Sequence, residues 1–427
     1  MAVAFFLLVP VCAVSIIPQV FGNFSRNASL VPFIVLILIS PFALFNLICS
    51  TAVRLKSFRW IGIYFALSIL FSIGTGLYFH SEGVTAYGVG VLEHTWPRLL
   101  LPIFIFLVIA VTIFAARLLQ RRRLKRTVYA SYILTLIYGY FQAILLFSGG
   151  GMESFLLFFE SGKGDSVPYI YRFFRLNLTT LEPAEAARLL IIFFFPIIYM
   201  LSSFAVFVRL IVLSIPLLVL AFSTTAILLA LTVVFCLAIR SLGVAKGWAI
   251  VSFSSIVFVS LILVLGSEES TYLIQKVISI DASESSRTRY SMIYATILMS
   301  LDYPVWGVGW SRDLFFLVDY FPAWGWNWET TGAFNSGEAV SAKSLFFRLI
   351  ANNGVVLFFM FSFALVEIYR RRKKVPHVGL FIPVFMVGSL IDGGIMTSFY
   401  PWVALGLSMY FIEEEEREEK ITFVDGR

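Results

Sequence analysis

The residues able to do chemistry concentrate in one window, 266–357. Its cations are Arg287, Arg289, Arg312, Lys343 and Arg348, and its carboxylates include Asp302, Asp313, Asp319, Glu329 and Glu338. A shorter stretch, 149–187, adds Arg172 and Arg175. Arginine offers a planar, permanently charged fork suited to phosphate, so these residues can be read as an anion-recognition site. The plainer reading is that the charges pair with one another and hold loops together; for any single residue both readings stay open. Trp324, Trp326 and Trp328 either stack on sugar faces or form an aromatic belt at a membrane interface. Other chemistries lack their signatures. There is no GxxxxGK[ST], no HExxH and no paired Cys/His set. The three histidines are His80, His94 and His377, and the three cysteines, Cys12, Cys49 and Cys236, lie in apolar stretches without metal spacing. ATP-driven and zinc-dependent reactions are not expected, and the sequence calls for no cofactor and no metal.

The elements that must position these residues are membrane spans. The chain has 427 residues, 59% hydrophobic and 13% charged, with a mean hydropathy of +0.91. Soluble domains carry about 25% charged residues, so the fold class is an all-α polytopic membrane protein. Apolar segments of roughly 20 residues fall at about 2–21, 30–52, 60–79, 98–116, 128–148, 188–208, 210–222, 225–239, 248–265, 344–368, 378–397 and 399–412. About twelve spans result, or ten if 209–225 is a re-entrant or broken element. The net charge of +7 does not indicate nucleic acid. Its basic clusters, such as 117–126 and 370–374, sit in short acid-free loops between spans, the positive-inside signature of the cytoplasmic side. That topology puts both termini inside. It makes the chain one integral membrane domain, 1–427, with external loops at 149–187 and 266–343 and an acidic cytoplasmic tail at 413–427, read as a solvated helix end. Arg348 lies about one turn inside a span, where an arginine must snorkel, pair or line a cavity; Asp392 is a candidate partner.

Order and spacing in the window supply a resemblance. Arg289 is followed fifteen residues later by Pro304-Val305-Trp306-Gly307-Val308-Gly309, then by an aromatic loop, then by a helix carrying Gly354. This pattern resembles the O-antigen polymerase and ligase superfamily (Wzy-type polymerases and the related ligases), with about twelve spans, one large periplasmic loop near the C-terminal end and a GT-C-like architecture. The sequence departs from that family in three places, one being Ser223-Thr224-Thr225, which resembles the family's Ser/Thr-rich short turn but lacks its usual arginine. Lys343 and Ser344 stand where the family has His-Asn, and Leu357 replaces a second glycine. No histidine occurs anywhere in 266–343. The ligases depend on one there, so its absence favours a polymerase.

The resemblance implies metal-independent glycosyl transfer on the periplasmic face of the bacterial inner membrane. Donor and acceptor would be oligosaccharide repeat units linked to undecaprenyl pyrophosphate, with chain-length regulator and flippase proteins as further partners and no nucleic acid. Catalytic candidates are Arg289, holding the donor pyrophosphate, and Glu338 or Asp313 as the base. Arg287, Arg348, Arg172, Arg175, Lys343, Arg312 and Trp326 are the expected substrate-binding residues. Competing readings are an O-antigen ligase, a transporter of the same lipid-linked sugar, and a non-catalytic assembly protein.

Overall fold

The computed structural model describes residues 2–10, 39–43, 45, 56–86, 89–147, 178, 183–221, 223–242, 284–310, 312–336, 343–391 and 398–425. Apart from a hairpin of two two-residue strands, Thr85–Ala86 and Val89–Gly90, the regular elements are helical. Four helical stretches are long and apolar enough to cross a membrane: Phe58–Ser81, Leu99–Leu145, Ala184–Leu201 and Leu345–Tyr369. Shorter apolar helices occupy Phe204–Leu220, Thr225–Arg240 and Pro376–Ile391. The all-α membrane class holds; the described residues do not by themselves fix the number of spans.

In chain order the helices are α1 (Ala2–Leu8), α2 (Lys56–Ser81), α3 (Val91–Phe147), α4 (Pro183–Arg188), α5 (Phe195–Leu201), α6 (Phe204–Leu220) and α7 (Thr224–Leu242). They continue as α8 (Glu284–Asp302), α9 (Asp313–Phe316), α10 (Trp328–Ser336), α11 (Leu345–Tyr369), α12 (Pro376–Ile391) and α13 (Tyr400–Asp425). The apolar stretch of α3 runs for 47 residues. At 1.5 Å per residue that is about 70 Å, twice the hydrocarbon thickness. It is two helices meeting at Gln120, the one residue with non-helical backbone (φ 55°, ψ 162°). The basic segment expected as a loop, 117–126, is therefore helical on both sides of that joint.

The sequence marks cuts in the region 188–240 at Arg209 and at Ser223-Thr224-Thr225; the region folds as three helical pieces, but its first break is not at Arg209. It falls at Ser202-Ser203, and Arg209 lies inside α6. The second break falls at 221–223, where the Ser-Thr-Thr turn predicts it. Between α4 and α5 the chain makes a buried π-helical turn, Leu189–Phe194. Pro196, at the start of α5, has no amide hydrogen for the preceding turn, a common cause of such widening.

One large apolar core joins α1, α2, α3, α5, α11, α12 and α13. A second, smaller core packs Met292, Ala295 and Met299 of α8 against Phe79, Val308, Phe315, Phe316 and Ala351. The functional window is folded around this second core.

The acidic tail is not a solvated helix end. It continues α13 without a break, and its carboxylates take cations from the basic segments. Arg117 donates from Nε and Nη2 to Glu413 (3.1 and 2.6 Å), Arg121 approaches Glu414 (3.8 Å), Arg371 pairs with Glu416 (3.0 Å), and Lys374 pairs with Glu419. Glu413 is only 7% exposed, so this pair, with both donors on Oε2, is largely shielded from water. Removing one partner of such a pair leaves the other charge uncompensated. Glu413→Ala is expected to cost about 1–3 kcal/mol, read as a lower thermal midpoint in detergent, while Glu415→Ala changes little. Equal midpoints for the two variants would contradict the clamp.

Candidate active site

Helix α11 is broken at Gly354 (φ 73°, ψ 169°). A break in an apolar helix exposes carbonyls and amides that lipid cannot satisfy. Here the chain segment 304–309 satisfies them. Val308 N–H donates to the Ala351 carbonyl (2.8 Å), Gly309 N–H to the Asn352 carbonyl (2.8 Å), and Val355 N–H to the Pro304 carbonyl (2.7 Å). The glycines make this approach possible. A Cβ on Gly354 would lie 1.9 Å from the Val305 carbonyl oxygen, and one on Gly307 (φ 64°) would lie 2.5 Å from the Ala351 oxygen. Both clashes are with backbone, which cannot swing aside.

The docked segment is held from behind by a polar stripe on α2. Tyr64, Ser68, Ser72 and Thr75 lie at helical spacing on one face. Asn353 Nδ2 donates to Tyr64 Oη (3.1 Å), and Ser68 Oγ donates to Asn353 Oδ1 (2.9 Å) while accepting from Trp310 Nε1. Trp310 N–H donates to Ser72 Oγ (3.0 Å). Arg312, fully buried, donates from Nη1 to Thr75 Oγ1 (2.7 Å) and the Val308 carbonyl (3.0 Å), and from Nη2 to the Ser72 carbonyl. Burial pulls its guanidinium down to about 10, so it keeps its charge at neutral pH. Gly309 (φ 94°) is required for this arrangement, because a Cβ there would sit 2.1 Å from Arg312 Nη1. Arg312, expected to bind substrate, is committed instead to the interior of the fold.

A second polar group on α11 is not satisfied. Arg348 and Asn352 are one turn apart on the N-terminal half of the helix. Arg348 Nε faces Asp313 Oδ2 at 3.5 Å, with side-chain exposures of 11% and 1%, and donates no hydrogen bond. Asn352 is 1% exposed, and neither Nδ2 nor Oδ1 has a partner among the described residues. Buried polar atoms are nearly always paired, and an ion pair at 3.5 Å is loose. The partner expected for Arg348, Asp392, lies outside the described residues, as do Arg172, Arg175 and Glu338. At the start of α11, Lys343 is half-buried and Ser344 Oγ donates to the Ser389 carbonyl (3.1 Å), tying this end to α12.

Arg287 and Arg289 lie in the first turns of α8, which packs against α11. Arg289 is half-buried and makes no hydrogen bond or ion pair among the described residues. The neighbouring Thr288 turns inward, donating to Glu329 Oε2 (3.1 Å) and accepting from Asn327 Nδ2 (3.1 Å). Trp326 is 41% exposed, edge-on to Phe321 (5.0 Å) and close to Phe334 (5.2 Å). Trp324 and Trp328 are more exposed still. The structure thus brings Arg348 and Asp313 together, carries Arg289 on an adjoining helix, and withdraws Arg312. Sequence reasoning missed Asn352 and Asn353. Two consecutive asparagines in an apolar helix, directly before a glycine, were the signal.

The break and its docking predict a sharp dependence on two glycines. Gly354→Ala and Gly307→Ala are expected to abolish the monodisperse peak in size-exclusion chromatography of the detergent-solubilised protein. Gly62→Ala, whose Cβ would meet nothing closer than 3.8 Å, leaves the peak intact. Normal peaks for both site variants would contradict the docking.

No curated protein matches the chain. A family model described as O-antigen ligase matches residues 209–362, about a third of the chain. The match runs from within α6 to within α11 and includes Arg289, the 304–309 segment, Asp313, Arg348 and Gly354. Residues 209–362 are therefore similar to the O-antigen ligase family, consistent with the polymerase and ligase superfamily that the sequence resembles.

Proposed function

We propose that this protein polymerises undecaprenyl-pyrophosphate-linked oligosaccharide repeat units by glycosyl transfer on the outer face of the bacterial inner membrane. The observation that carries the reading is the unsatisfied polar group on α11: a loose Arg348–Asp313 pair beside Asn352, whose amide has no partner among the described residues. Such a group is costly unless something completes it. A hydroxyl-rich, pyrophosphate-bearing substrate supplies acceptors for Arg348 Nε and Asn352 Nδ2 and donors for Asn352 Oδ1. Arg289, which makes no ion pair among the described residues, is the cation we assign to the pyrophosphate.

In the proposed step an acceptor sugar hydroxyl attacks the anomeric carbon of the donor chain. The bond from that carbon to the pyrophosphate oxygen breaks, and undecaprenyl pyrophosphate leaves with the electron pair. Arg289 binds that developing charge, with Arg348 and Arg172 assisting, and fixed cations at a leaving group lower the barrier. The hydroxyl proton passes to a carboxylate. Asp313 is the candidate beside Arg348, and Glu338 is the alternative. Arg287, Arg175, Lys343 and Trp326 would line the approach of the sugar chain. Arg312 has no part in this scheme, because its donors are engaged within the fold.

The second reading is ligation of the finished chain to lipid A-core, favoured by the description of the matching family. Against it stands the absence of any histidine between 266 and 343. The test is the surface-polysaccharide profile of a deletion strain complemented with each variant. Under the proposal, deletion collapses the ladder to core plus one repeat unit. Arg289→Ala at normal protein level fails to restore the ladder, and Asp313→Asn slows extension about 100-fold or more if Asp313 is the base. A full ladder with Arg289→Ala would overturn the assignment. Loss of every O-antigen band, with long lipid-linked chains accumulating, would establish the ligase instead.

A further inference from the structure

The basic end of the helices holds a groove of about 580 Å³ between α7, α12 and the end of α11, far from the α11 break in sequence and unused by the proposed transfer. Its volume is in the range of small-ligand sites. Its rim carries Arg240, Arg372 and Lys373, and no acidic residue lines it. Its wall is apolar and half-buried, formed by Leu237, Pro383, Met386 and Val387.

The run 370–374 divides its charges. Arg370 pairs with Glu367, Arg371 with Glu416, and Lys374 with Glu419. Arg372 and Lys373, the two between them that line the groove, make no ion pair among the described residues, and neither does Arg240. Both arginines lie over aromatic rings rather than against carboxylates, and Arg372 Nη1 also donates to the Tyr369 carbonyl (3.5 Å). The Arg240 guanidinium lies 5.4 Å from the centre of the Tyr199 ring, and that of Arg372 lies 4.5 Å from Tyr369. Stacking of this kind orients the planar group while leaving its N–H edge available. Arg240, from α7, and Arg372, from the turn after α11, meet over Gly379. A Cβ there would lie 3.4 Å from Arg372 Cβ and 4.0 Å from Arg240 Nη1. One turn on, Pro383 has no amide hydrogen to give the Gly379 carbonyl, which leaves an acceptor at the same spot.

We infer that this groove binds an anionic phospholipid of the cytoplasmic leaflet, its phosphate between Arg240, Arg372 and Lys373 and its acyl chain along Met386 and Val387. Three cations without counter-ions above an apolar wall match a molecule with one anionic end and one hydrocarbon end. Basic pockets between helices at the positively charged membrane face hold such headgroups. A soluble phosphate would leave the apolar wall uncovered.

The test uses the full-length protein purified in detergent and titrated with phosphatidylglycerol, phosphatidylcholine of the same chains, or glycerol phosphate, read by thermal stability and by retained lipid in native mass spectrometry. Phosphatidylglycerol is expected to raise the midpoint by several degrees and to stay bound, and the other two to do neither. The double variant Arg240→Ala/Arg372→Ala should lose the rise while matching the parent in phosphatidylcholine. Gly379→Leu, which fills the groove and keeps every charge, should lose it as well. If either fails to fold, Lys373→Gln, at an exposed position, should weaken the effect several-fold. A rise of equal size in all variants overturns the site, and an equal rise with glycerol phosphate overturns the lipid as its occupant.

Discussion

Three backbone hydrogen bonds between residues 304–309 and 351–355 are the constraint on which the rest of this structure depends. An apolar helix broken inside a bilayer exposes peptide groups that cost several kcal/mol each if left unpaired. The break in α11 is tolerated because another stretch of backbone meets its open carbonyls and amide. Backbone can approach backbone so closely only where side chains are absent, which accounts for glycine at both 307 and 354. The seal then needs a rigid backing. The hydroxyl stripe of α2 supplies it through Asn353, Trp310 and Arg312, and no partner in that relay lacks a hydrogen bond.

The contrast between consecutive asparagines separates architecture from chemistry. Asn353 has Tyr64 and Ser68 and is fully engaged. Asn352, equally buried, has no partner among the described residues. The arginines divide in the same way. Arg312 is saturated by serine, threonine and main-chain oxygens, whereas Arg348 has only a long contact to Asp313. A polar group that the fold leaves incomplete, next to a break that the fold takes pains to seal, is where a substrate has something to add. This contrast is the basis for placing transfer chemistry on the N-terminal half of α11.

The pattern of Arg289 followed fifteen residues later by Pro-x-x-Gly-x-Gly was legible, and so was its importance, but not its physical reason. The hydrogen-bond partners of 308 and 309 lie more than forty residues away in the chain, and spacing carries no information on which helix will break to receive them. The burial of Arg312 was illegible for a related reason. An arginine in a polar loop looks available until the loop is seen to fold back onto α2. Arg348 was read as needing a partner, and among the described residues the structure gives it Asp313, from across the loop; Asp392 lies outside those residues. The acidic run 413–419 looked solvated because its cations are scattered through segments near 117–121 and 371–374 that only the packed bundle brings together. Membrane class, basic-end clustering and the break near 221–223 needed no such long-range knowledge, since composition and local turn chemistry determine them.

The most direct test of the sealed break is amide hydrogen exchange, resolved to single residues, on the intact protein in lipid nanodiscs. If the three bonds hold the segments together, the amides of Val308, Gly309 and Val355 exchange as slowly as those in the middle of α11, although none of the three is bonded within a regular helix. Exchange at Val308 and Gly309 as fast as at the exposed end of α10 would mean that the 304–309 segment does not close the break, and the account built on it would fall.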